Sequence, residues 1–74
     1  MEMDAWTIAD IKNRAMDKAY AKVTMLGMEI SSNKTDIKTK NYGPLNLEQM
    51  VLILEGNKKE LQVWEYIAEL IENQ

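Results

Sequence analysis

Three glutamates, Glu65, Glu69 and Glu72, recur at spacings of four and three near the C-terminal end of the chain. That spacing stacks them on one face of a helix. A general acid–base pair needs two carboxylates facing each other across a cleft with their pKa values pushed apart. A row on one exposed face solvates that face instead. Histidine and cysteine are both absent from the 74 residues. Serine nucleophiles therefore lack an imidazole base, disulfides cannot form, and a structural zinc would find neither thiolate nor imidazole. There is no glycine-rich phosphate loop and no calcium-loop pattern. These residue types and spacings predict no catalytic, cofactor-binding or metal-binding residues, and a protein that is not an enzyme.

The remaining polar features read as surface. Lys34, Lys38 and Lys40 make the run 34–40 locally basic, as a solvated connector often is. Net charge is −3 and unevenly placed: residues 1–44 carry seven basic and six acidic side chains, residues 45–74 two basic and six acidic. An acidic total removes the usual electrostatic argument for nucleic-acid binding. The acidic, interrupted opening Met1-Glu2-Met3-Asp4 is unlike a secretory signal. No stretch approaches the roughly 18 apolar residues of a membrane span. A cytoplasmic protein without membrane attachment is the expectation.

The elements that must position these groups follow from apolar spacing. Ile8, Ile11, Ala15, Ala19, Val23, Leu26 and Ile30 form a stripe at intervals of three and four, which predicts one long helix over 4–30 with Asp4 as N-cap. Residues 31–45 are rich in Ser, Asn, Thr, Lys and Asp and end in the turn signal Asn41-Tyr42-Gly43-Pro44, so they predict a connector. A competing reading makes 23–40 a short β-hairpin turning at Ser31-Ser32-Asn33-Lys34. Asn46 with Gln49 predicts a capping box and a second helix with Leu47, Met50, Val51 and Leu54 buried. Gly56 predicts its end, through the left-handed conformation glycine adopts freely. Asn57 with Glu60 starts a third helix, buried along Leu61, Trp64, Ile67, Ala68 and Ile71. Trp6 and Trp64 are expected to anchor the helices together. The expected fold is a single small all-α domain over 1–74: a long N-terminal helix plus a C-terminal helical hairpin, with α+β as the alternative.

From Leu45 to Trp64 the order helix, glycine, helix resembles the helix-turn-helix motif of bacterial and phage repressors. The resemblance implies a second helix entering the major groove, with Asn57, Lys58, Lys59 and Gln62 facing DNA. Glu60, Glu65 and Glu69 on the same segment would oppose a phosphate backbone.

Apolar excess is the stronger signal. Met50-Val51-Leu52-Ile53-Leu54 is an unbroken apolar run. Leu52 and Ile53 fall off the buried stripe of their helix, as Val63, Tyr66 and Leu70 fall beside the next one. Met25 and Met28 sit opposite the N-terminal stripe, and methionine suits adaptable contacts. A chain of this size has little interior to hide such side chains. These seven residues are the candidate protein interface. They predict a small interaction or regulatory protein that binds a protein partner and forms a homodimer or other homo-oligomer, with helix-turn-helix DNA binding as the alternative.

Overall fold

In the computed structural model, which describes residues 4–73, the chain is all-α: two helices, α1 (Ala5–Lys38) and α2 (Leu47–Glu72), pack side by side as a hairpin. Both starts follow from their caps. Asp4 Oδ1 accepts the Thr7 backbone N–H at 2.7 Å. That bond holds the Asp4 carboxyl below its ordinary pKa. At α2 the box is reciprocal: Gln49 N–H donates to Asn46 Oδ1 at 2.8 Å, and Asn46 N–H donates to Gln49 Oε1 at 3.0 Å.

Two expectations are corrected. The connector expected over 31–45 begins only after Lys38, and the β-hairpin at 23–40 does not form; α1 runs eight residues past Ile30. Its Ser- and Thr-rich end stays helical because α2 packs alongside it, and two of its hydroxyls are satisfied on the helix's own carbonyls. Thr35 Oγ1 donates to Ser31 O at 3.1 Å and Thr39 Oγ1 to Thr35 O at 2.9 Å. Asn33 and Ile37 keep the packing stripe in phase beyond Ile30, and both are partly buried. The helix then stops on a Schellman turn. Lys40 takes the left-handed conformation (φ 58°), Lys40 N–H donates to Ile37 O, and Asn41 N–H donates to Asp36 O. Lysine pays there a backbone cost that glycine avoids.

The second correction is at Gly56, which ends nothing. The expected second and third helices are one helix, α2, running through Gly56 and Asn57. A glycine inside a helix costs about 1 kcal/mol. Packing on both sides of it offsets that: Met50, Leu54, Leu61 and Ala68 recur at four and seven, so one stripe faces α1 throughout. Asn57 lies in the same stripe. Its Nδ2 donates to Asn33 Oδ1 at 2.8 Å, a partly buried polar pair between the helices. A heptad-spaced stripe permits sliding by seven residues, and a polar pair that meets in one alignment opposes it.

The interior is thin. Among the described residues the buried ones are Ala19, Leu26, Ile30, Met50, Leu54 and Ala68, and two of these six are alanine. Among the described residues no large side chain is fully buried. The molecule measures 54 × 20 × 14 Å, with a radius of gyration of 17.0 Å. A compact domain of this length would have about 11 Å. The accessible surface is 5974 Å², against about 4,700 Å² for a folded monomer of this mass.

Candidate protein-interaction surface

Helical period divides the hairpin into two long flanks on either side of the seam between α1 and α2. One flank is polar. Tyr20 and Val23 of α1 meet Glu65, Ala68, Glu69 and Glu72 of α2 there. The Tyr20 hydroxyl donates to Glu72 Oε1. Holding that proton against a carboxylate pushes the phenol pKa up, with burial and the negative charge adding to it. The Tyr20–Glu72 bond also fixes the stagger of the helices. Tyr20 lies beside the last turn of α2, and Asn33 beside Asn57. The first turns of α1 therefore run from the last turn of α2, where Ile71 shares a groove with Ile8 and Ile11, to beyond its end.

The other flank is apolar toward the chain ends and mixed toward the loop, where Lys22, Glu29 and Glu60 stand beside Met25, Leu26 and Trp64. Toward the loop it has a groove lined by Lys22, Met25, Leu26, Glu29, Glu60 and Trp64. Lys22 Nζ stands 5.9 Å from the centre of the Trp64 ring, within cation–π range. Toward the chain ends a second groove is lined by Ile8, Ile11, Lys12, Ala15 and Ile71. Beyond these grooves the period places Ile53, Gly56, Val63, Ile67 and Leu70 of α2 along the same flank.

Every residue of the expected protein interface is exposed. Leu52 is 66%, Ile53 42%, Val63 49% and Leu70 46% accessible; Met25, Met28 and Tyr66 are exposed as well. They do not form one patch. Ile53, Val63 and Leu70, with Met25 across the seam, belong to the apolar flank. Leu52, five full turns before Leu70, shares its direction at the outer edge of that flank, while Tyr66 sits on the back of α2 and Met28 on the back of α1. Sequence reasoning missed other members. Ile8 and Ile11 were expected in the core and are about half exposed, because they lie at the very end of α2, where Ile71 lines their groove. Trp6 anchors nothing and is 87% accessible. Leu47 and Val51, also expected inside, are exposed.

The groups expected to face DNA are dispersed. Asn57 points inward to Asn33, and Lys58 pairs with Glu55 at 3.6 Å on its own helix. Lys59 and Gln62 are exposed. With Gly56 and Asn57 helical, the tight turn that the resemblance requires is not formed.

Among the described residues no three carboxylates gather where they could hold a metal ion, and no helix is long and apolar enough to cross a membrane. The exposed ion pairs Arg14–Asp10 (3.0 Å) and Lys58–Glu55 join neighbouring turns of one helix and contribute little. No protein-family model, curated protein or solved structure matches this chain.

Proposed function

We propose that this protein works by binding protein, without chemistry of its own, and that it binds a copy of itself. The observation that carries this reading is the apolar flank. Ile8, Ile11, Met25, Ile53, Val63 and Leu70 stand about half in water along one side of a hairpin whose other side is polar. Each such side chain forgoes about 1 kcal/mol of burial. Six of them on one side favour covering that side over leaving it wet. The surface in excess of a compact monomer is about 1,300 Å², and a specific interface takes about 800 Å² from each partner. Association is also the one support open to a small chain without disulfides or a metal ligand set. In this role the protein is an assembly or regulatory component, its activity set by what its surface covers.

Light scattering coupled to size exclusion tests the reading. A mass of at least twice 8.6 kDa at micromolar concentration is expected. A mass of 8.6 kDa at all concentrations would remove it.

A further inference from the structure

A second copy can cover the apolar flank in two arrangements. Two hairpins laid flank to flank form a four-helix bundle, closed by a two-fold axis. If the axis runs along the bundle, both loops lie at one end and each α1 neighbours the partner's α2. If it runs across the bundle, the loops lie at opposite ends, α1 neighbours α1 and α2 neighbours α2.

Three observations separate them. The first is charge. Among its described residues α1 carries six basic and four acidic side chains, and α2 two basic and six acidic. The lengthwise axis sets a net-positive helix beside a net-negative one. The crosswise axis sets two copies of the acidic helix side by side, a like-charge juxtaposition.

The second is where the apolar groups lie. On α1 Ile8, Ile11 and Ala15 lie away from the loop; toward the loop the same side carries Met25 among the charged Lys22, Glu29 and Asp36. On α2, Val63, Ile67 and Leu70 also lie in the half away from the loop. The lengthwise axis brings these apolar halves together. The crosswise axis lays Ile8 and Ile11 against the charged half of the other α1.

The third is stagger. Tyr20 sits beside the end of α2, so α1 overhangs it by several turns. A crosswise axis aligns either the two α1 helices or the two α2 helices over their length, and leaves the other pair with only partial overlap. A lengthwise axis keeps both copies level, so α1 covers the partner's α2 and the two overhangs stand at the same end.

We infer that the partner is a second copy of this chain, docked on the apolar flank about a two-fold axis parallel to the helices, with both loops at one end and both α1 overhangs at the other. This rests on the self-association proposed above and adds its geometry. The overhang explains Ile8 and Ile11: they are core residues of the dimer in a chain that alone leaves them half exposed.

The test uses the cysteine-free chain directly. Single variants Asn41→Cys in the loop and Thr7→Cys on the overhang are nitroxide-labelled, and label-to-label distances within the oligomer are measured by pulsed electron spin resonance. Scattering mass is recorded on the same samples. The inference expects a dimer with both distances short, nearer the 20 Å width than the 54 Å length. A dimer with both distances near or beyond the molecular length overturns the lengthwise axis and leaves self-association standing. A monomer overturns both. A mass above the dimer overturns the two-fold arrangement, whatever the distances.

Discussion

The two flanks of this hairpin are built from the same two helices and differ in what lies on either side of the buried stripe. On one flank Glu65, Glu69 and Glu72 face water, and Tyr20 ties its hydroxyl to Glu72. On the other, Trp64, Ile67 and Ile71 of α2 stand where those glutamates would be, and Ile8, Ile11 and Met25 line α1. An amphipathic helix needs only about 100° of its circumference apolar to pack on one neighbour. Here the apolar arc extends well past the stripe on one side only. The lesson is that α1 and α2 satisfy each other's narrow stripes and leave the wider arc on one flank uncovered.

Charge placed on the two flanks should break them unequally. The pair Val63→Glu and Leu70→Glu is expected to reduce the scattering mass to that of one chain and to abolish the concentration dependence of the thermal midpoint. Gln62→Glu, one residue away and facing the polar side, should change neither. Equal effects from both would mean that the flanks do not differ in function.

A smaller effect is expected at the seam between them. Asn57→Ala leaves the Asn33 amide partly buried without its partner, at a cost of about 1–2 kcal/mol by urea denaturation. Replacing both asparagines with leucine should recover that stability, and a pair of alternative helix alignments in cross-linking would show what the polar pair had been preventing.

The glycines sharpen the comparison further. Gly27 lies toward the polar flank and Gly56 toward the apolar one, each with open space where a Cβ would go. Gly27→Ala should stabilise by about 1 kcal/mol through helix propensity alone. Gly56→Ala should gain less, because a partner helix close to that position would meet the new methyl. Equal gains would place the partner elsewhere.

The last expectation is a titration. In a Tyr42→Phe, Tyr66→Phe background, ultraviolet absorbance should show Tyr20 ionising above the ordinary phenol value, and Glu72→Ala should bring it back down. A folded pKa raised in this way adds stability that is fully present below the unfolded phenol value near 10 and is lost as pH rises through the folded one. For Asp4 the sign reverses. Its folded pKa is lowered, so its capping contribution is present above the unfolded carboxylate value and fades as pH falls through the folded one.

Much of this fold can be read from the chain. Asp4 and the Asn46–Gln49 box declare the two helix starts. The all-α class follows from apolar spacing. The helix ends were harder because composition and phase disagree there. Ser31 to Asp36 looks like a loop by residue type, yet Asn33 and Ile37 continue the interval of three and four, and phase prevails once α2 lies alongside. Gly56 looks like a stop, yet Leu54 and Leu61 are seven apart across it, a spacing that an interrupted helix has no reason to keep. The off-stripe residues Ile53, Val63 and Leu70 were legible as surface because the period excluded them from the stripe. Ile8 and Ile11 were not, since their exposure depends on where a different helix ends. That is a fact of register between elements, and a single helix's pattern does not carry it.

The shortest dimension of the molecule, 14 Å, has one more consequence. It is hardly more than the thickness of a single helix with its side chains, about 10–12 Å. A domain ordinarily stacks two layers so that each hides the other's greasy face. This chain is a single layer, a ribbon with a front and a back whose only sheltered line is the seam between its two helices.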